Sequence, residues 1–257
     1  MDRICLFGRT QTMSHRAILD SLRQMQAFGF DGVEVCLEHP DLLPETLTAE
    51  LARRVSEELD RLGMPRSVSY HKDYIYDDRL WEQTLLGIEL TPQFGADIFI
   101  ISGCPRRGGP EEWPRMLDRT RRLVSAAAAR GVALAIEFEP NFIVGSTADL
   151  LRLFREIPSE ALQANLDLGH VFLCDPAPMA AIDSLRGKVR HGHVENMRAG
   201  VHRHLPPWEG DMDLPAYLRA LDGIGFAGPL ALDLYNERYE DVAERSVGYL
   251  RGILPPA

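Results

Sequence analysis

The sequence predicts a single (β/α)8 barrel spanning residues 1–257, of the α/β class. Short apolar runs rich in Ile, Val, Leu and Phe alternate with longer stretches of helical period from one end of the chain to the other, and eight such pairs can be counted. Strand-plus-helix units of ~25–35 residues fit a closed barrel better than an open doubly wound sheet, and the Gly-rich first turn of a dinucleotide-binding fold is absent. No low-complexity linker or charge block divides the chain into domains.

The strands are read in order as Ile4–Phe7, Gly32–Val35, Ser67–His71, Asp97–Ile101, Ala133–Phe138, Leu162–Asp167, Val189–Glu195 and Leu230–Leu234. Between them, Ser14 opens a helix with Ile18, Leu22 and Met25 on one face, closing before Gly29. Thr48 to Arg61 reads in the same way. Trp113 to Arg130 ends in a run of alanines before Gly131, and Ser146 to Glu156 stops before Pro158. A short sixth helix lies around Pro178 to Leu185 between prolines.

Composition narrows the function. Hydrophobic residues make up 45% and charged residues 26%, as in globular domains rather than disordered or fibrous chains. A chain this long buries enough surface to be stable without a disulfide or structural metal, so a metal is free to be catalytic. Acidic residues outnumber basic ones, 38 against 28, giving a net charge of −10 that repels nucleic acid. Cys5, Cys36, Cys104 and Cys174 form no CxxC pair, which reads as a reduced, cytoplasmic chain. Neither a signal peptide nor a run approaching ~20 apolar residues is seen, so no membrane partner is expected; a homo-oligomer is compatible with the sequence.

Active sites of such barrels sit at the carboxyl ends of the strands. There, strands two to eight present Glu34, His71, Ser102, Glu137 with Glu139, Asp167 with His170, His193 with Glu195, and Asp233. In LAIEFEP, residues 133, 135 and 137 share one strand face, which carries Glu137 to the top of the interior. Asp167 in NLDLGH reads either as a site carboxylate or as the cap of the next helix. HGHVEN puts His191 and His193 on one face, and ALDLYN delivers Asp233. Three carboxylates and an imidazole from four strands form an oxygen-rich site suited to one divalent ion, Mn2+, Mg2+, Co2+ or Zn2+.

In this order, LAIEFEP, NLDLGH, HGHVEN and ALDLYN resemble the metal-site strands of the xylose-isomerase-like barrels, a superfamily that includes sugar phosphate isomerases and epimerases, ketose 3-epimerases and zinc-dependent abasic-site endonucleases. The resemblance covers nearly the whole chain. It implies a metal held by Glu137, Asp167, His193 and the strand-eight acid, which is Asp233 here where the family usually shows Glu. It also makes VHRHLPPWEGDMD, with His202 and His204, part of the substrate mouth, and brings His71 near the substrate; the competing readings are two solvated loop histidines and a core histidine. Glu139, Glu34 and Arg198 are further candidates for substrate hydroxyls.

A serine hydrolase, zincin, P-loop or dinucleotide enzyme lacks its motif here, and neither Lys72 nor Lys188 is placed for a Schiff base. A carboxylate removing the proton beside a carbonyl would give an enediolate, hence isomerisation or epimerisation of a sugar, keto-sugar or cyclitol. Glu137 and Asp233 would exchange that proton, with His170 as shuttle or as the group orienting Asp167. A lyase or dehydratase starts with the same step; a phosphodiester hydrolase or a non-catalytic ligand-binding barrel keeps the residues and changes the role. The strand-four loop IISGC offers Ser102 rather than an imidazole, and Arg106, Arg107 and Arg203 are too few for a DNA duplex, so one principal metal and a small carbohydrate or cyclitol substrate are expected.

Overall fold

A computed structural model of the chain describes residues 3–255. Eight parallel strands close on themselves: β1 (Cys5–Arg9), β2 (Gly32–Cys36), β3 (Arg66–Ser69), β4 (Ile98–Ser102), β5 (Ala133–Glu137), β6 (Leu162–Asp167), β7 (Val189–Val194) and β10 (Pro229–Leu232). Each neighbours the next in chain order, and β10 returns to β1, where Phe7 lies between Ala231 and Gly32. The two intervening strands, β8 (Asn196–Arg198) and β9 (Val201–Leu205), form a separate antiparallel hairpin.

The helices are α1 (Ile18–Ala27), α2 (Ala49–Leu62), α3 (Asp78–Leu90), α4 (Glu112–Ala128), α5 (Thr147–Glu156), α6 (Leu168–Cys174), α7 (Pro178–Ser184), α8 (Leu214–Gly223) and α9 (Tyr239–Ile253). Several caps follow the sequence reading. The Thr48 side chain accepts from the Leu51 N–H, Ser146 accepts from Asp149, and α2 ends on Gly63, whose φ of 69° a residue with a Cβ adopts only at a cost. Ser14 does not open the first helix. It follows a 3-10 turn over Thr10–Met13, and the first N–H of α1, on Ile18, instead donates to Asp41 Oδ2 at 2.8 Å, a cap supplied from a distant loop that local sequence does not announce.

Strand ends also shift. β1 runs two residues beyond the expected Phe7 to Arg9, whereas β3 stops at Ser69 and β10 at Leu232, so His71 and Asp233 sit in the loops just past their strands. The main apolar core lies between the strands and the helices, while Ile98, Ile100 and Ala135 form a small separate cluster. Polar residues also occupy the barrel interior: His191 lies between Ser67 and Asn165, 3.0 Å from Ser67 Oγ and 2.9 Å from Asn165 Oδ1, with Phe7 edge-on to its ring.

Candidate functional site

Strand alternation assembles the site. Register places Asp167 beside His193, Ser102 beside Glu137 and Arg9 beside Glu34. Two residues below them, Asn165, His191 and Ala135 share the faces of Asp167, His193 and Glu137, as the period of two requires. Glu34, Glu137, Asp167, Asp233, Glu195 and His193 are all buried.

His193 is the hub. Its Nε2 lies 2.8 Å from Glu34 Oε2, so the carboxylate accepts from Nε2–H and leaves Nδ1 facing the other acids. From Nδ1, Glu137 Oε2 is 3.2 Å away, and Asp167 Oδ2 and Asp233 Oδ2 are each 3.8 Å away. Ligand atoms of Glu137, Asp167 and His193 lie within 4.8 Å of one another, as do those of Asp167, His204 and Asp233. The four expected metal residues are thus brought together as two overlapping groups sharing Asp167, with His204 completing the second.

The charges explain the perturbed titrations. Burial alone would raise Glu34 and Glu137, but Arg9 and His193 beside Glu34, and His193 and His170 beside Glu137, hold both well below the usual carboxylate range. Burial opposes a charge on His193, yet Glu137 and Glu34 push it well above an ordinary imidazole. His170 is likewise pushed up to about 9 against burial by Asp167 and Glu137. Glu139 rises to about 7 through burial and the Glu137 charge, and Glu195 is driven well up by burial and by Asp167 and Asp233.

These residues fit a divalent cation. Asp167 Oδ1 accepts from the His170 N–H at 2.8 Å, capping α6, while its buried Oδ2 has no hydrogen-bond partner. A buried carboxylate oxygen without a donor is costly. The raised His193 shows the same demand for positive charge among the acids, which a cation satisfies by replacing the proton.

A cavity of about 170 Å3 opens over this cluster, lined by Arg9, Gln11, His71, Glu137, Glu139, His170, His204, Asp233 and Tyr235. His71 lies 3.8 Å from Glu137 and 3.9 Å from Glu34, and its buried Nε2 has no partner, unlike a satisfied core histidine. His204, buried, donates through Nδ1 to the Asp233 carbonyl at 2.8 Å, and the exposed His202 approaches His170 with Nε2 atoms 2.9 Å apart. Arg198 is not brought to the cavity; it is exposed on the hairpin, in a separate groove with Val201, Arg203 and Glu237.

Sequence reasoning missed Arg9, Asn165, Gln11 and Tyr235. Arg9 is buried, donates from Nε to Glu34 Oε1 at 3.0 Å and pairs through Nη1 with Asp233. The signal was an Arg closing the apolar run CLFGR, in phase with Phe7.

A closed parallel barrel with buried acids and imidazoles converging at the carboxyl ends of its strands is the architecture of a (β/α)8 enzyme. The chain belongs to the xylose isomerase-like TIM barrel family, which it matches over residues 22–253. L-ribulose-5-phosphate 3-epimerase UlaE of Salmonella typhi is 24% identical over 247 residues, covering 88% of this chain and 84% of that protein. Among solved structures, a D-allulose 3-epimerase from Methylomonas sp. superposes with a TM-score of 0.80 at 15% identity, covering 99% of both chains. The probable 3-DHS dehydratase AsbF from Bacillus anthracis gives a TM-score of 0.83 at 16% identity, covering 96% of this chain and 98% of that one. At these identities the structural likenesses establish the fold. Among the described residues, no helix is long and apolar enough to cross a membrane.

Proposed function

We propose that the chain is a divalent-metal-dependent isomerase or epimerase that moves the proton on the carbon beside the carbonyl of a small keto-sugar, sugar phosphate or cyclitol. The observation that carries this reading is that two carboxylates, Glu137 and Asp233, line one small cavity above the Asp167 and His193 cluster. The cavity lies below the ~300–1,000 Å3 of sites for drug-sized ligands, which suits a single monosaccharide. Similarity to epimerases acting on ribulose 5-phosphate and allulose supports the same substrate class.

Glu137, Asp167, His193 and Asp233 would hold the ion, Mn2+, Mg2+, Co2+ or Zn2+, with His204 beside Asp233. When bound, it polarises the carbonyl and adjacent hydroxyl oxygens of the substrate, which acidifies the C–H between them. Glu137 takes the proton from one face, giving an enediolate of the substrate, and Asp233, having taken up a proton from water at the cavity mouth, returns it to the other face. Asn165 Nδ2 donates to Glu137 Oε2 at 2.8 Å and fixes that carboxylate. His170 Nδ1 lies 3.2 Å from Glu137 Oε1 and its Nε2 meets exposed His202, giving the proton a route to solvent. His71 and Glu139, on the cavity wall, contact substrate hydroxyls, and Tyr235 flanks the mouth beside His204.

The test is turnover of keto-sugars and their phosphates by Mn2+-loaded protein in heavy water. Solvent deuterium at the carbon beside the carbonyl is expected in the product. Product free of deuterium overturns the reading, and loss of water in place of an epimer assigns a dehydratase.

A further inference from the structure

We infer that Arg9 is a positioning residue that sets two of the proposed metal ligands, His193 and Asp233, through a single guanidinium. The inference rests on the metal reading above and extends it to a residue outside the ligand set. Arg9 closes β1 and is buried at the floor of the cavity. Nε donates to Glu34 Oε1 at 3.0 Å, and Nη1 pairs with Asp233 Oδ1. Glu34 in turn accepts from His193 Nε2 at 2.8 Å. The four side chains form one continuous path, Asp233, Arg9, Glu34, His193, whose two ends are both proposed ligands.

Each link has a geometric consequence. With Oδ1 tied to Arg9, Asp233 is left with Oδ2 toward the cluster, 3.8 Å from His193 Nδ1 and 3.5 Å from His204 Nδ1. With Glu34 held by Arg9, the proton of His193 is fixed on Nε2, and Nδ1 keeps the lone pair that a cation needs. The planar guanidinium reaches both carboxylates at once, donating to Glu34 and pairing in charge with Asp233, from a rigid fork that a lysine ammonium, a point charge on a flexible stem, does not offer. Glu137 and Asp167 make no ion pair with Arg9; their partners are His193 and His170, with His71 a third for Glu137. Arg9 therefore orders one half of the acid cluster and leaves the other half to the ion.

The experiment measures Mn2+ affinity by chelator competition and the His193 tautomer by imidazole nitrogen NMR of Mg2+-loaded protein, in wild type, Arg9→Lys, Glu34→Gln and the double variant, with folding checked by circular dichroism. Losses of metal affinity on the order of 10–100-fold are expected for each single variant, as for groups that orient ligands. His193 should lose its fixed Nε2 proton, and the double variant should lose no more than the worse single one. Arg9→Lys that binds Mn2+ within twofold of wild type and keeps the tautomer overturns the inference, because charge alone would then suffice. Additive losses in the double variant overturn it as well. Should Arg9→Lys not fold, Glu34→Gln alone reads the path through the same two measurements. Wild type that takes up no Mn2+ removes the metal reading along with this one, whereas tight wild-type binding with an unaffected Arg9→Lys removes this one only.

Discussion

Asn165 Nδ2 lies 2.8 Å from Glu137 Oε2, a buried amide–carboxylate hydrogen bond between β6 and β5. The other end of the amide, Oδ1, accepts from His191 Nδ1, and His191 Nε2 accepts from Ser67, so the polar layer beneath the cluster is satisfied atom by atom. Asn165→Ala should cost about 1–3 kcal/mol by leaving Glu137 and His191 short of partners. It should also reduce turnover more than substrate affinity. Denaturant melts and steady-state kinetics check both; a variant with unchanged stability would show that the hydrogen bond carries no net energy.

His191 gives the pH dependence a sign. Burial, ahead of the neighbouring His193 and Arg9 charges, lowers it from 6.5 to about 3, so the folded protein keeps it neutral while the unfolded chain takes up a proton below 6.5. Stability from this group is therefore present above 6.5 and is lost as pH falls toward 3, at up to about 1.4 kcal/mol per pH unit. Comparing melts of wild type and His191→Asn at several pH values isolates it. A stability difference that stays constant from neutral pH into this acid range would refute the neutral buried imidazole.

Removing the proposed ligands should separate metal binding from folding. Glu137→Ala and Asp167→Ala should remain folded, and each should lose its metal by elemental analysis. Chelation of wild type should lower Tm, since an ion present at 100 times its Kd contributes about 2.7 kcal/mol, roughly 5–10 °C for a chain of this size. Full occupancy in either alanine variant would displace the site.

Gly169 tests how tightly α6 meets the hairpin. A Cβ there would lie 2.0 Å from Glu195 Oε1 and 2.5 Å from Met197 Cε, so Gly169→Ala must push both aside. An overpacking cost of about 1–3 kcal/mol is expected. Limited proteolysis should cut the hairpin faster; an unaltered digestion pattern would mean that the two elements move apart freely.

The barrel was legible because its signals are local and repeated: apolar runs of strand length, helices that close on Gly or before Pro, and acids where the runs end. Asp167 shows why single-residue readings diverged. Cap and site carboxylate looked like alternatives, yet Oδ1 caps α6 while Oδ2 faces the cluster, and a sequence letter does not distinguish two oxygens. Arg9 was missed because ending β1 at Phe7 removed it from the strand-end map, although its phase was right. The Asp41 cap of α1 depends on a contact 23 residues away, and a local pattern cannot encode it. The hairpin escaped because VENMRAGVHRHL mixes polar and apolar residues on strands buried on both faces at the base and exposed on both at the tip, so no period of two shows.

That hairpin shares no ladder with the barrel. It is fastened by a few contacts, such as His204 Nδ1 donating to the Asp233 carbonyl at 2.8 Å and the His204 N–H to Asn236 Oδ1 at 3.2 Å. Residues such as Val201 and Arg203 can therefore be exchanged without breaking a hydrogen bond of the closed sheet. One strand thus carries two kinds of position: Val201 and Arg203 line a groove apart from the cavity and are free to drift, whereas His202 and His204 beside them are held to His170 and Asp233.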